Sequence, residues 1–185
     1  SAQTLSSAIT ISPNTNYTLS GWIYVFKGSN PGRACIDLNG LAGSPQLCTT
    51  TDMSQLSAWK YLSATWNSGS NTSLTVRLLT DSNPYTTWFD DIRLSVEDGP
   101  TSTPAPPTLT PTKTPTPTIT NTPSADGNLV LNPGFEAAGS SAADAADWTE
   151  GASHARASDK FHTGGWSLHS TYRGTGTDTR TTAPT

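Results

Sequence analysis

The chain has 185 residues, of which 33% are hydrophobic and only 13% are charged, with a formal net charge of −4. Without the Pro/Thr-rich tract from Pro100 to Ser124, the remainder is enough for one ordinary domain and not for two. No basic run is present that would follow a phosphate backbone, and no apolar run is long enough to span a bilayer. The composition therefore argues against nucleic acid and membrane as partners, and it favours an all-β extracellular domain.

Alternation of apolar and polar residues, with a period of two, dominates the chain. The segment Tyr17–Phe26 places Tyr17, Leu19, Ile23 and Val25 on one face and Trp22, Tyr24 and Phe26 on the other. Turn residues separate the other predicted strands, which are Ala8–Ser12, Arg33–Leu38, Gln46–Thr50, Lys60–Trp66, Ser73–Leu79, Thr87–Val96, Asn128–Asn132, Ala152–Ala157 and Ser167–Tyr172. Many short strands at this spacing predict an antiparallel β-sandwich.

The two cysteines, Cys35 and Cys48, lie in strand-like surroundings on either side of a short stretch that contains Gly and Pro. In a Thr-rich chain of secreted character, this arrangement predicts a disulfide across a hairpin. The alternative is a reduced pair of small buried side chains.

The tract between the two strand-forming parts has Thr at every second position from Thr108 to Thr122, interleaved with proline. Because proline lacks the N–H that a sheet needs and fixes φ, we predict an extended, polyproline II-like linker over residues 99–126. The tract either bridges two modules or loops back across one. Its closely spaced hydroxyls are candidate O-glycosylation sites, namely Thr108, Thr110, Thr112, Thr114, Thr116, Thr118, Thr120 and Thr122.

Several motifs become a recognisable pattern when Thr185 is joined to Ser1. They are Asn-Leu-Val-Leu-Asn-Pro-Gly-Phe-Glu at 128–136, Trp148, His-Thr-Gly-Gly-Trp-Ser-Leu at 162–168, Ile-Thr-Ile-Ser-Pro at 9–13, Tyr-Thr-Leu-Ser-Gly-Trp at 17–22 and Trp-Phe-Asp-Asp-Ile-Arg-Leu at 88–94. In this rotated order the chain resembles the galactose-binding-like jelly rolls that serve as carbohydrate-binding modules in bacterial glycanases.

The resemblance implies one jelly-roll module split between the two ends of the chain. Residues 1–98 are then its carboxy-terminal part, 99–126 the linker, and 127–185 its amino-terminal part, which completes the fold with residues 1–98 of the same or a neighbouring copy. The polar stretch from Arg173 across the joined ends to Ser7 is expected to be a surface loop, where a fold tolerates a break.

The resemblance also implies a structural calcium ion, held by a glutamate of the opening segment and an aspartate of the closing strand. The matching residues are Glu136 and Asp90. Strict alternation favours Asp90 over Asp91, because it places Asp90 on the face of Ile92 and Leu94. Backbone carbonyls at 160–164 are possible further ligands. The alternative is an aspartate that accepts hydrogen bonds from nearby backbone amides.

Sugar binding in such modules uses aromatic platforms. Trp22 and Tyr24 are the candidate platform, with Tyr61, Tyr85, Arg77 and Arg93 as possible accessory groups. These aromatics could equally contact another subunit or pack under the Pro/Thr tract. By the same alternation, Trp66 and Trp88 are expected to be structural.

The sequence does not predict an enzyme. Asp90 and Asp91 are expected to point to opposite faces of their strand, which would prevent them from acting as a paired acid and base. The three histidines, His154, His162 and His169, have no nucleophile motif beside them and are expected at the surface.

Two functions follow from this interpretation. In the first, the chain is a non-catalytic structural repeat on a bacterial cell surface, and copies assemble head to tail into a fibre, as separate chains or as a tandem repeat, by completing split modules. In the second, it is a carbohydrate-binding module that attaches a secreted glycanase or surface protein to polysaccharide. Both place the protein outside the cell.

Overall fold

The computed structural model describes residues 2–26, 33–49, 57–81, 86–97 and 127–171. These ranges form twelve strands: β1 (Ala2–Ser6), β2 (Ile9–Thr10), β3 (Asn16–Val25), β4 (Arg33–Asp37), β5 (Gln46–Cys48), β6 (Trp59–Asn67), β7 (Ser73–Leu74), β8 (Arg77–Asp81), β9 (Thr87–Val96), β10 (Trp148–Glu150), β11 (His154–Ala157) and β12 (Ser167–Ser170). The expected all-β class is confirmed.

The strands form two antiparallel five-stranded sheets and one short ribbon. The first sheet has the order β10-β1-β8-β4-β5, and the second has the order β11-β12-β9-β3-β6. The ribbon pairs β2 with β7. This arrangement is consistent with a β-sandwich, in which two inner faces share one core.

Both sheets contain strands from the two ends of the chain. In the first sheet β1 lies between β10 and β8, and in the second β12 lies between β11 and β9. The segment 127–171 also contributes buried side chains to the shared core, namely Val130, Phe135, Ala145, Trp148 and Leu168. Neither sheet is complete without both segments.

The core side of β3 follows the predicted alternation. Tyr17, Leu19, Ile23 and Val25 are all buried. Gly21 continues this inner row at a point of close approach, since a Cβ on it would lie 2.7 Å from Ile36 Cδ1 and 2.8 Å from Ile92 Cδ1. The missing side chain therefore allows the two sheets to pack closely here.

One expected loop is a strand. The stretch that ends at Ser7 was expected at the surface, but Ala2–Ser6 forms β1, and Thr4 within it is fully buried. The Thr4 hydroxyl hydrogen-bonds to the ring of His154. Polar composition indicated a loop because a buried hydroxyl with a partner cannot be distinguished from an exposed one in the sequence.

Other strand predictions need smaller corrections. Residues 128–132 do not form a strand; instead the Asn128 side chain accepts the N–H groups of Leu94 and Val130 and donates to the Ile92 carbonyl. The predicted strand Ser73–Leu79 is divided between β7 and β8, whereas Thr87–Val96 is observed with the predicted bounds. The strand β10 was not predicted.

The predicted disulfide between Cys35 and Cys48 is confirmed. The two residues lie directly opposite each other in the β4–β5 pair, with a sequence separation of 13. The threonines of 108–122, Tyr85 and the stretch from Arg173 onward lie outside the described residues.

Candidate functional site

The outer side of the second sheet, away from the core, carries a group of aromatic residues that we call the aromatic face: Trp22, Tyr24, Trp59 and Tyr61. Strand register brings them together, because Trp22 lies opposite Tyr61 and Tyr24 lies opposite Trp59. The ring centroids of Trp22 and Tyr61 are 5.3 Å apart, and those of Tyr24 and Trp59 are 5.7 Å apart. The predicted platform residues Trp22, Tyr24 and Tyr61 thus form one surface.

Trp88 extends this surface across β9. It lies opposite both Tyr24 and His169, and its ring stacks on that of His169 at a centroid distance of 4.7 Å. Its indole N–H donates to Asp159. Trp66 and Trp88 are both buried, as their expected structural role requires. Trp66 packs in the core, whereas Trp88 is buried by neighbours on the outer face and does not share the side of the core residues as alternation predicted.

A loop formed by residues 158–166, the covering loop, lies over part of the aromatic face. The Lys160 ammonium is 4.3 Å from the centroid of Tyr24, and the His162 ring stacks on Trp22 with centroids 3.8 Å apart. These contacts leave Trp22 and Tyr24 half-buried. Tyr61 and Phe161 stay open to solvent, with 53% and 42% of their surface exposed.

Two adjacent carboxylates hold the covering loop. Asp90 Oδ2 accepts the backbone N–H groups of His162 and Thr163, at 2.6 and 3.1 Å. Asp91 accepts the Thr163 hydroxyl and lies 2.8 Å from His162 Nδ1. The expectation that the two carboxylates point to opposite faces is therefore wrong, because both contact the same two residues.

A β-bulge explains this geometry. Between Ser20 and Trp22 on β3, the facing strand β9 contains one extra residue, since Ser20 pairs with Arg93 while Trp22 pairs with Asp90. Asp91 has a φ of 49°, in the left-handed region. Asp90 therefore lies on the outer face with Trp22, and it is buried by the covering loop instead of by the core that contains Ile92.

Burial alters the acidity of Asp90. The side chain is fully inaccessible to solvent, and burial, with a further contribution from the neighbouring Asp91, raises its pKa to about 7 despite three backbone N–H donors. Near neutral pH this carboxyl is consequently balanced between its charged and neutral forms.

Glu136, from the other segment, holds the far end of the covering loop. Its Oε1 atom accepts the N–H groups of Gly165 and Trp166, at 2.8 and 3.0 Å. A Cβ built on Gly134 would lie 3.4 Å from Asp90 Oδ1, 3.7 Å from Asp91 Oδ1 and 3.9 Å from Glu136 Cγ. The two predicted metal ligands, Glu136 and Asp90, thus approach the same glycine and bind the same loop.

These residues fit a calcium ion only in part. The carboxylates of Asp90 and Asp91 both lie near Gly134, which favours a cation, but the Glu136 carboxylate is turned to Gly165 and Trp166. Backbone N–H groups also face Asp90 and Glu136 where Ca²⁺ would require oxygen ligands. Within the described ranges, no group of three or more His, Cys, Asp or Glu side chains is placed to hold a metal ion. The observed hydrogen bonds correspond to the alternative stated for Asp90.

The two predicted accessory arginines lie on different sheets. Arg77 is on β8 of the first sheet, where its guanidinium binds the carboxylate of buried Asp37 at 2.9 and 2.7 Å. It is therefore separated from the aromatic face by the thickness of the sandwich. Arg93 is on β9 of the second sheet, opposite Ser20.

The histidines are more buried than expected. His154 is buried between the sheets, beside the hydroxyls of Thr4 and Thr80. His162 and His169 are half-buried on indole rings. Burial lowers the pKa of His169, against the opposing effect of the Asp159 carboxylate.

Sequence reasoning missed Trp59, Lys160 and His162 as members of this surface. Trp59 has the same parity as Tyr61, which is a signal that could have identified it once β6 was extended by one residue. No periodic signal exists for Lys160 and His162, because they lie in an irregular loop whose path depends on contacts with distant carboxylates.

A scan against models of protein families finds no match to the chain, and a search of curated proteins finds no significant relative. No helix in the ranges that the structure describes is long and apolar enough to cross a membrane. The resemblance to carbohydrate-binding modules therefore rests on the motifs quoted above and on the all-β architecture.

Proposed function

We propose that this chain is a non-catalytic, extracellular structural repeat whose copies assemble head to tail by exchanging the segment 127–171. The observation that carries the proposal is the position of β1 and β12. Each is an inner strand with one neighbour from each segment. Each segment alone would leave paired strands without a partner, so a copy whose own segment is displaced must recruit another.

Hydrophobic burial supplies the driving force for completion. Phe135 and Leu168 are fully buried in the core cluster that side chains of both segments form. Full burial of such a side chain contributes about 1.5–3 kcal/mol. Because a neighbour's segment would make the same contacts, the exchange costs little beyond the entropy of association.

The described residues on the two sides of the Pro/Thr tract lie close together. The Leu129 N–H donates to the Leu94 carbonyl, so the chain re-enters the fold beside the strand that it leaves. As a polyproline II helix, roughly 25 residues of the tract would span on the order of 75 Å. That length is sufficient to carry the segment 127–171 to an adjacent copy.

Further features belong to the same proposal. The Cys35–Cys48 disulfide supports an oxidising compartment, and the tract threonines would carry O-linked sugars. A structural calcium ion would be held by Glu136 and Asp90, which join the two segments.

Cysteine cross-linking tests whether segments are exchanged. Leu5 and Thr149 lie opposite each other across the boundary between the two segments, and neither is buried. In a Leu5→Cys/Thr149→Cys variant, exchange predicts disulfide-linked multimers on a non-reducing gel. A matched control is Thr18→Cys/Thr65→Cys, whose positions are also opposite but lie within one segment. It should give monomers only.

Closure within one chain would give a monomeric band for both variants, with complete oxidation of the cysteine pairs. That result would rule out exchange under the conditions used. Multimers from both variants would indicate non-specific oxidation and would equally fail to support the proposal.

The exposed part of the aromatic face favours a second candidate, sugar binding. Tyr61 is open, whereas the ring of Trp22 is already stacked on His162. Sugar would therefore contact Tyr61 first, stacking its C–H face on the ring. A glycan array should then show binding that Tyr61→Ala and Trp22→Ala abolish and that Phe26→Ala, the control at the exposed end of the same face, retains. Equal signals from all four proteins would count against this function.

A further inference from the structure

The strand β6 forms one edge of the second sheet. It pairs with β3 along all nine of its residues, from Trp59 to Asn67. In the parts of the chain that the structure describes, no strand pairs with its other side. Among the described strands, that side of the β6 backbone is therefore unpaired.

The strand β6 has few of the features that prevent an edge strand from pairing with another chain. Natural edge strands are commonly short, charged, bulged or interrupted by proline. This one is long, contains no proline, and has Lys60 as its single charged residue. It pairs with β3 in continuous register, without a bulge.

The inward side chains of β6 are only partly covered by the rest of the chain that the structure describes. Leu62 and Ala64 have inward parity and pack against the core, yet both stay partly exposed. The corresponding edge of the first sheet, β5, is only three residues long. On the outer side of β6, Tyr61, Ser63 and Thr65 are exposed.

We propose that β6 pairs antiparallel with β6 of a second copy, about a two-fold axis at Ser63. Ser63 is the middle residue of β6, so only an axis at Ser63 pairs all nine residues of one strand with all nine of the other. Ser63 then lies opposite itself, and the two second sheets join into one sheet of ten strands. This isologous contact is independent of the segment exchange proposed above.

This register suits a second copy of the chain. On the inner side, Leu62 lies opposite the partner's Ala64, which covers the partly exposed apolar groups of both copies. On the outer side, Tyr61 lies opposite the partner's Thr65, an aromatic and β-branched pair that stabilises antiparallel sheets. Lys60 lies opposite the partner's Trp66, so no like charges meet. The two-fold therefore covers the partly exposed apolar groups of both strands and brings no like charges together.

The two-fold makes a specific prediction about cysteine substitutions in the full chain. Ser63→Cys should form a disulfide-linked dimer under mild oxidation, because the two thiols face each other. Thr65→Cys is the matched control, being exposed on the same side of the same strand but opposite Tyr61. We expect at least a five-fold larger dimer fraction for Ser63→Cys. Equal dimer fractions, or none from either, would overturn the proposal.

A second measurement needs no cross-link. Sedimentation equilibrium should show that the unaltered chain doubles the mass of its assembling unit, whether a single chain or an exchanged multimer, as concentration rises. Ser63→Lys should abolish this doubling, because the substituted lysines would oppose each other on the axis. Retained circular dichroism would show that the variant is folded. If Ser63→Lys assembles like the unaltered chain, the β6 edge is not the interface. The disulfide-linked multimers of Leu5→Cys/Thr149→Cys, in contrast, should still form when Ser63→Lys is added. This result would separate the β6 contact from segment exchange.

Discussion

Asp90 lies opposite Trp22 in the register of β3 and β9, although Ile92, two residues further along β9, lies in the core. The bulge at Asp91 makes both positions possible. It directs two carboxylates outward to the covering loop, and that loop in turn carries His162 onto the Trp22 ring. The organisation of the aromatic face thus depends on one extra residue in one strand.

The hydrogen bonds between Glu136 and the covering loop can be tested by a substitution at Gly164. Its φ is 69°, and a Cβ there would overlap the Glu136 carboxylate. Gly40 is the matched control, with a φ of 81° and no described atom within 4 Å of its Cβ position. Alanine at either position costs about 1–2 kcal/mol in left-handed backbone strain. We expect Gly164→Ala to lower the free energy of unfolding by at least about 1 kcal/mol more than Gly40→Ala, owing to lost hydrogen bonds. Equal values in urea unfolding would contradict the Glu136 contact.

The raised pKa of Asp90 predicts a dependence of stability on pH. The folded-state pKa is about 7 and the ordinary value is 3.8, so between these values the folded chain binds more protons than the unfolded chain. The contribution of Asp90 to the free energy of unfolding should therefore be fully present below the ordinary value and fall as pH rises through about 7. Urea unfolding in a chelator at several pH values measures the slope.

Asp90→Asn is the control for that slope. An amide oxygen can accept the same backbone N–H groups but does not titrate, so the variant should show a flatter profile between about pH 4 and about pH 7. Glu150, whose pKa is also raised by burial, is common to both proteins and cancels in the comparison. Parallel profiles for the two proteins would show that Asp90 does not titrate in this range.

Calcium bound by Glu136 and Asp90 should stabilise the fold at neutral pH. Adding millimolar CaCl₂ after dialysis against chelator should raise the Tm of the unaltered chain by mass action. Glu136→Gln should lose most of this rise, and MgCl₂ should not substitute, since Mg²⁺ demands a more regular octahedral site. An unchanged Tm would contradict calcium binding and would show that Asp90 and Glu136 are satisfied by hydrogen bonds from the backbone alone.

The Cys35–Cys48 disulfide closes a short loop in the first sheet. Removing it in a Cys35→Ala/Cys48→Ala variant should lower the free energy of unfolding by about 3 kcal/mol, chiefly by restoring freedom to the unfolded chain. Unfolding of the unaltered chain with reductant should reproduce this loss. A change of less than about 1 kcal/mol in both experiments would contradict a stabilising role.

Periodicity and spacing in the sequence were sufficient to predict several elements of the fold. The inner row of β3, the bounds of β9 and the Cys35–Cys48 pair were all predicted from periodicity and spacing. Alternation failed on β9 because the bulge reverses which side of the strand each following side chain faces. No residue type in the sequence indicates that a bulge is present. As a result, alternation placed Trp88 on the same side of the strand as the core residues and placed the carboxylates of Asp90 and Asp91 on opposite sides.

Buried polar side chains explain most of the other differences. Thr4 and His154 satisfy each other between the sheets, so a polar segment becomes an inner strand and a supposed surface histidine becomes buried. Thr4 and His154 are 150 residues apart in the chain. No local pattern predicts them, because their stability exists only when both segments are present.

Head-to-tail exchange of the segment 127–171 is the central claim, and negative-stain microscopy of the native material tests it most directly. The account predicts filaments in which globular modules repeat along one axis. Monodisperse globules alone, in material that retains the complete chain, would contradict it.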